Sequence, residues 1–194
     1  MKGPALIFLG AFLVNNIVLM RFLGLCPFFG VSSTVETATG MGMAVIFVMT
    51  LAAWITWVVF NAVLLPLDLV FLRTAVFILT IASLVQLVEM FLKKSYRALY
   101  NALGIYLPLI TTNCAILGVT FLNIDNKFSF VDGTVFAIGT GVGFTLVIIT
   151  FAAIRERLDL APINPSLKGY PISFIAASLM ALAFLGFSGL FGLA

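Results

Sequence analysis

The residues of this chain best suited to redox or soft-metal chemistry are its two cysteines, Cys26 and Cys114. Each lies in a copy of one phrase, LGLCPFFGVS at residues 23–32 and TTNCAILGVT at residues 111–120, and both read C-x-x-x-G-V followed by Ser or Thr. The match indicates a chain built from two related halves. Each half offers one thiol at an equivalent place, and thiolates are the usual ligands of iron–sulfur clusters and soft metals.

The chemistry of this pair leaves three uses open. A free cysteine in an apolar helix often packs as a small hydrophobe, and two neighbouring cysteines can form a disulfide, although that bond would prevent the halves from moving. The third use is a 2Fe–2S cluster, which generally takes four protein ligands. Because the chain has no histidine and no third cysteine, the missing ligands would have to come from another subunit, most simply a homologous one.

The composition places these thiols in a membrane. Hydrophobic residues make up 63% of the chain and charged residues only 9%, whereas soluble domains carry roughly 25% charged residues. A helix needs about 20 apolar residues to cross the hydrocarbon core. We therefore predict an all-α integral membrane protein with six spans, at residues 5–22, 40–65, 74–92, 103–122, 134–154 and 171–193. The loops between them are too short for a soluble catalytic domain.

A second internal match supports the duplication, because TGMGMAVIFVMTLAA at residues 39–53 resembles TGVGFTLVIITFAAI at residues 140–154. With three spans in each half, the second half must enter the membrane from the opposite side. We predict one membrane domain, residues 1–194, made of two inverted repeats at about residues 1–97 and 98–194. Functional sites in such proteins tend to lie near the bilayer midplane at the repeat interface, so the cysteines are expected at equivalent depths.

The first and fourth helices, which carry the cysteines, are predicted to be interrupted. Gly24, Pro27 and Gly30 punctuate the first segment, while Pro108, a TTN run and Gly118 punctuate the fourth. Proline and glycine favour helix breaks. Irregular backbone at membrane depth must be buried in protein or line a cavity, so both segments are expected inside the protein.

The other small and polar residues are predicted to have structural roles. Five glycines on the T-G-x-G spans are predicted to be helix-packing positions rather than cofactor contacts: Gly40, Gly42, Gly139, Gly141 and Gly143. The polar stretch at residues 123–133 is predicted to be an exposed loop. Three asparagines suit interhelical hydrogen bonds better than ion binding: Asn15, Asn16 and Asn113.

Charged side chains that could bind a transported ion are scarce in the predicted spans. Glu89 lies near the end of the third span beside two lysines, and Arg155, Glu156 and Arg157 are expected to pair or snorkel at a helix end. Four aspartates are expected in loops: Asp68, Asp125, Asp132 and Asp159. No residue is therefore predicted as an ion ligand.

The basic residues predict the orientation of the spans. Seven are expected near the first, third and fifth loops: Arg21, Lys93, Lys94, Arg97, Arg155, Arg157 and Lys168. Three are expected on the other side: Lys2, Arg73 and Lys127. The positive-inside rule makes the richer side cytoplasmic. We predict a multi-pass membrane protein with both termini on the outer side, and a solvated basic surface rather than a nucleic-acid site.

Three longer strings carry a resemblance to a known family: NNIVLMRFLGLCPFFGVS at residues 15–32, YNALGIYLPLITTNCAILGV at residues 100–119 and FAAIRERL at residues 151–158. They resemble the membrane subunits shared by the bacterial Rnf complex (its A-type subunit) and the sodium-pumping NADH:quinone reductase (its E- and D-type subunits), over essentially the whole chain. LVNNIVL together with LCPFFGVS favours the Rnf member. The resemblance implies a six-helix protein with inverted repeats, paired with a homologous E-type subunit of opposite orientation.

The resemblance also implies a function. In the family, the two cysteines of each partner together hold a 2Fe–2S cluster within the membrane, and Cys26 and Cys114 match those positions. The complex resembles an ion-translocating ferredoxin:NAD oxidoreductase whose other subunits carry flavins and further clusters. No flavin attachment motif is present in this chain, so no flavin is expected on it.

We therefore hypothesise that Cys26 and Cys114 hold half of an electron relay across the membrane, coupled to sodium or proton transport, in a subunit that is not catalytic alone. The chief rival is a secondary transporter or channel with the same inverted repeat and purely structural cysteines. A structural assembly factor without a cofactor is the third class, and it predicts that cysteine replacement is silent.

Overall fold

The computed structural model describes residues 3–66, 68, 70–95, 107–162 and 167–187, and within these ranges the chain is helical with no strand. The α-helices are α1 (Pro4–Leu9), α2 (Leu25–Gly30), α3 (Val35–Val59), α4 (Arg73–Ser95), α5 (Leu107–Thr111), α6 (Cys114–Asp125), α7 (Phe130–Asp159) and α8 (Tyr170–Leu185). A π-helical segment, Gly10–Val14, continues α1, and another, Phe60–Leu64, continues α3.

Three continuous helices are long and apolar enough to cross a membrane: Val35–Leu64, Val70–Met90 and Phe130–Asp159. They correspond to the second, third and fifth predicted spans. The remaining apolar helices of the described residues are shorter: Pro4–Val14, Leu109–Asp125 and Tyr170–Leu185. The membrane character of the chain is therefore supported, whereas the count of six spans and the inverted repeat stay predictions.

The two cysteine-bearing segments are interrupted helices, as predicted. In the first half the helix stops at Asn15, and turns and irregular backbone lead to Gly24, which precedes α2 with a φ of +80°. In the second half α5 ends at Thr111, and α6 begins at Cys114 after a break of two residues. The first break starts earlier than the predicted Gly24 to Gly30 punctuation, since the π-helical segment ends at Val14. Within this break the side chain of Asn16 bonds across to Gly143 of α7.

The seam between α3 and α7 is built on glycine. A Cβ atom on Gly42 would overlap Thr145, and one on Gly141 would lie 3.1 Å from the Cα atom of Ile46. Small residues allow such close approach of helix backbones. The packing role predicted for these two glycines is confirmed, whereas Gly40 faces open space and has no packing role.

The other two predicted glycines hold α1 against α7. A Cβ atom on Gly139 would lie 3.1 Å from the carbonyl oxygen of Phe8, and one on Gly143 would lie 2.7 Å from that of Phe12. Phe12 follows Phe8 along the chain as Gly143 follows Gly139, so the contacts proceed toward the C-terminus on both helices. Helix α1 therefore runs in the same direction as α7.

Contacts at successive positions along α7 give the direction of each broken helix relative to α7. Further along it, the ring of Phe151 stacks on Phe28 of α2 with 4.2 Å between centroids. At its beginning, Gly133 accepts a 3.4 Å hydrogen bond from the side chain of Asn123 near the end of α6. Since α6 begins beside the middle of α7 and ends beside its start, it runs antiparallel to α7, opposite to α1 and α2.

The predicted loop at residues 123–133 is mostly helical, so that prediction is wrong. Helix α6 continues to Asp125, and α7 begins at Phe130 with Ser129 as its N-cap, the hydroxyl accepting from the backbone N–H of Asp132 at 3.2 Å. The polar residues that suggested a loop are helix-end residues, which cap and close the two helices. Asp125, Asp132 and Asp159 therefore lie in terminal turns of helices and not in loops.

Arg21 is also placed differently from the prediction. Rather than lying in a loop at the end of the span, it lies in the break between α1 and α2, flanked by Asn16 beside Gly143 and by Gly24 beside Phe144. Its side chain lines a cavity of about 610 Å³ together with Lys127 and Asp132. Arg21 therefore no longer counts toward the predicted orientation. Of the other nine basic residues, Lys2 and Arg97 lie outside the described residues, and the orientation of the chain stays a prediction.

Candidate functional site

Each cysteine lies in the first turn of a helix that follows a break. Cys26 is the second residue of α2, and Cys114 is the first residue of α6. The break before Cys26 is closed by Gly24 in the left-handed region, which glycine adopts without steric cost. The break before Cys114 is closed by Asn113, whose side-chain oxygen accepts from the backbone N–H of Ala115 at 2.9 Å.

The two cysteine segments are in direct contact. The backbone N–H of Gly24 donates a hydrogen bond to the sulfur of Cys114, with 2.9 Å between nitrogen and sulfur. A Cβ atom on Gly24 would lie 3.0 Å from the ring of Phe144 and 3.1 Å from the Cβ atom of Ala115. Only glycine fits this junction, both in backbone conformation and in space.

The junction lies halfway along the longest helix. Phe144, which contacts Gly24, is the fifteenth of the 30 residues of α7. A 30-residue helix is about 45 Å long, so its middle lies far from both ends. The two cysteine segments therefore meet beside the middle of α7, and their equivalent depth in the membrane stays a prediction.

The glycines of the two phrases each face the other half. A Cβ atom on Gly118 would lie 2.7 Å from the side chain of Leu23, and one on Gly30 would lie 3.7 Å from that of Leu109. Gly118 therefore makes room for Leu23 of the opposite segment, whereas a side chain at Gly30 would meet Leu109 at an ordinary contact distance.

The two thiols differ in exposure. Cys26 is exposed and Cys114 is half-buried, and both are free. Among the described residues, no group of three or more His, Cys, Asp or Glu side chains could hold a metal ion. The chain thus presents two thiols and no complete ligand set, which fits one half of a four-thiolate site open to a partner.

A pair of charged residues at the end of α7 braces the first cysteine segment. The guanidinium of Arg155 donates to the carbonyl oxygen of Phe29 and to the hydroxyl of Ser32, both at 3.0 Å. The carboxylate of Glu156 accepts from the backbone N–H of Val35 at 2.9 Å. From the sequence we predicted only ion pairing or snorkelling at this helix end. The string RER at residues 155–157 has no pattern from which these long-range hydrogen bonds could be predicted.

The three asparagines behave differently from one another. Asn16 is fully buried; its amide donates to the carbonyl oxygen of Gly143 at 3.0 Å, and its oxygen accepts from Val18 at 3.1 Å. The predicted interhelical hydrogen bond is therefore confirmed for Asn16. Asn15 is exposed and lines the cavity beside Arg21. Asn113 caps α6, and its amide nitrogen is buried without a partner among the described residues.

Comparison with known proteins adds to this geometry. Residues 5–191 match a family model described as Rnf-Nqr subunit, membrane protein. The chain is 59% identical over 190 residues to the A-type subunit of the ion-translocating oxidoreductase complex of Syntrophotalea carbinolica, covering 98% of each chain. It is 58% identical over 184 residues to the A-type subunit of the Na(+)-translocating ferredoxin:NAD(+) oxidoreductase complex of Acetobacterium woodii, covering 95% of this chain and 96% of that one. A relative from Photorhabdus laumondii is 55% identical over 185 residues, covering 95% of this chain and 96% of that one.

Proposed function

Because this chain belongs to the Rnf-Nqr family of membrane proteins, we propose that it is the A-type subunit of an ion-translocating ferredoxin:NAD oxidoreductase complex. The names of the relatives from Syntrophotalea carbinolica and Acetobacterium woodii support this assignment over almost the full length. The bacterial inner membrane is the corresponding location. The remaining parts of the proposal concern how this subunit contributes to the complex.

Cys26 and Cys114 supply half of the ligands of a 2Fe–2S cluster in the proposed complex. The observation that carries this proposal is the hydrogen bond from Gly24 to the sulfur of Cys114, which joins the two cysteine segments at mid-length of α7. When bound, such a cluster accepts one electron and releases one electron, with its potential set partly by hydrogen bonds to its sulfur atoms. The described residues hold Cys114 in place for this role and leave Cys26 accessible.

A homologous subunit of the E type supplies the other two thiolates. Two thiols are half of the usual four ligands, and the exposed Cys26 lies where another protein surface can reach it. A partner with its own pair and the opposite orientation would complete the set. Flavins and further clusters lie on other subunits, which bring electrons to this site and take them away.

The buried setting of the junction explains why a relay is needed there. Phe144 and Ala115 close Gly24 off from water, and an uncompensated charge in such a low-dielectric region is very costly. Electrons therefore need a fixed carrier to cross. A cluster held by Cys26 and Cys114 would gain one negative charge on reduction, which would favour a nearby cation and so provide a link between electron transfer and sodium or proton movement.

The proposed topology has six spans in two inverted repeats, with both termini periplasmic. Two contacts support the alternation of the loops. Arg73 at the start of α4 pairs with Asp125 at the end of α6 at 2.6 Å. Glu156 near the end of α7 binds the backbone of Val35 at the start of α3, so the helix ends meet in the pairs that the alternation requires. Inverted repeats also agree with the opposite directions of α1 and α6.

The test is a comparison of Cys26→Ser and Cys114→Ser in the purified intact complex. We expect both variants to lose two iron atoms per complex and the corresponding paramagnetic signal of the reduced state, and to lose electron transfer. The matched control is Ser33→Ala, an exposed residue in the loop after α2. Unchanged iron, spectrum and electron transfer in the cysteine variants would contradict the proposal and favour a transporter or channel with structural cysteines.

A further inference from the structure

Asn113 contains a buried hydrogen-bond donor that the described part of the chain does not use. Its side chain is 4% exposed, and its oxygen caps α6 by accepting from Ala115 at 2.9 Å. Because a backbone N–H can only donate, the side-chain atom that faces Ala115 must be the oxygen. The orientation of the amide is thereby fixed, and its Nδ2 atom is left with no partner among the described residues.

The fold satisfies a comparable asparagine completely. Asn16 is also buried and lies in the break of the first half, yet its nitrogen and its oxygen both have backbone partners. A buried donor without an acceptor carries its full desolvation cost, and such groups in native proteins generally have a reason. The described residues contain one other such atom, Oδ1 of Asn123. Only the unpaired atom of Asn113 is a donor next to a cysteine, which points to an acceptor outside the described part of this chain.

The position of Asn113 identifies the chemistry of that acceptor. Its oxygen lies 3.4 Å from the Cβ position of Gly24, and the N–H of Gly24 binds the sulfur of Cys114. The amide of Asn113 and the thiol of Cys114 thus lie against the same glycine, on adjacent residues. Sulfur atoms are the hydrogen-bond acceptors that a cluster would bring to this place.

We propose that Asn113 is a positioning residue that donates a hydrogen bond from Nδ2 to a sulfur atom of the cluster, and so raises its reduction potential. This inference rests on the proposed function, since it requires Cys26 and Cys114 to hold the cluster. A donor that faces the sulfur stabilises the additional negative charge of the reduced state, and hydrogen bonds to sulfur are among the features that set cluster potentials. The N–H of Gly24 acts in the same sense on Cys114.

The test is Asn113→Ser in the intact complex, because serine keeps an N-cap oxygen but has no amide. The midpoint potential is measured by redox titration followed with paramagnetic resonance, and the iron content is measured beside it. We expect full iron content and a lower potential. The equilibrium between reduced and oxidised cluster should shift by up to about tenfold, which is about 59 mV for a one-electron centre.

Asn123→Ser is the matched control. Asn123 lies on the same helix, is also 4% exposed, and is nine residues away from Cys114 beside Gly133. We expect this variant to leave the potential unchanged. Asn113→Asp keeps the shape and the cap while replacing the amide donor by an acceptor, and it should lower the potential further.

The outcomes separate this inference from the proposed function. A cluster that depends on Cys26 and Cys114 but keeps its potential in both Asn113 variants overturns the inference alone. Loss of iron without a change in the potential of the remaining cluster also overturns it, because capping alone predicts that result. A signal that is unaffected by the cysteine replacements overturns the proposed function instead.

Discussion

The two copies of the cysteine phrase are similar in sequence but are held differently. In the first half the break extends from Asn15 to Gly24, and Cys26 is exposed after it. In the second half the break is two residues long, and Cys114 is half-buried with its sulfur bonded to Gly24. One thiol is therefore held by a hydrogen bond from its own chain, and the other is exposed.

Gly24→Ala tests the contact that joins the two copies and has the largest expected effect. A left-handed backbone costs about 1–2 kcal/mol for a residue with a side chain, and the added methyl group would press on Phe144 and Ala115. Overpacking of this kind typically costs about 1–3 kcal/mol more. We expect a lower melting temperature of the complex and loss of the proposed cluster, measured by thermal unfolding and iron analysis.

Gly40→Ala is the control for this substitution, because a Cβ atom there meets nothing within 4 Å. It should leave the melting temperature and the iron content unchanged. Equal losses of melting temperature and of iron in both variants would contradict a special role of the Gly24 junction in holding the two copies together.

Thiol labelling tests the difference in exposure and has an intermediate expected effect. In membranes from cells that lack the homologous subunit, a maleimide should modify Cys26 several-fold faster than Cys114, since only Cys26 is exposed. Single-cysteine variants, Cys114→Ser and Cys26→Ser, allow the two rates to be measured separately by mass spectrometry. Equal rates would remove the distinction between a fixed and an accessible thiol.

Arg155→Met tests the bracing of the first copy and has the smallest expected effect. Methionine keeps the apolar stem but leaves the carbonyl of Phe29 and the buried hydroxyl of Ser32 without their donor. Hydrogen bonds to charged groups contribute about 1.5–3 kcal/mol, and the half-buried guanidinium is expected at the lower end. We predict a modest fall in the melting temperature, with Cys26 labelled faster and Cys114 unchanged.

Arg157→Met provides the comparison for Arg155, because Arg157 is exposed near the same end of α7. Surface substitutions usually change stability by no more than about 0.5 kcal/mol. If the two arginine variants behave alike, Arg155 does not brace the cysteine segment.

Much of this arrangement could be predicted from the sequence because it depends on local pattern. Apolar length identified α3, α4 and α7 as spans, and the repeated phrases indicated that Cys26 and Cys114 belong to equivalent segments. Small residues at helical spacing predicted the close approach at Gly42 and Gly141. These features need only the periodicity and the size of side chains.

The missed features depend on contacts between distant residues. In the first break Asn16 bonds to Gly143, and α2 is braced by the bond from Arg155 to Phe29, so the partners are more than 120 positions apart in both cases. Likewise, the polar residues at the end of α6 suggested a loop because the residue types that cap helices are also the types that are common in turns. A single sequence contains no direct signal for any of these partners.

The glycine seam between α3 and α7 has a consequence for how the subunit moves. With Gly42 against Thr145 and Gly141 against Ile46, the two helices interlock so closely that neither can slide or rotate past the other without collision. We expect them to act as one rigid spine. We expect any rearrangement of the subunit to take place in the broken helices beside it, where Gly24 and Asn113 interrupt the helices next to both thiols.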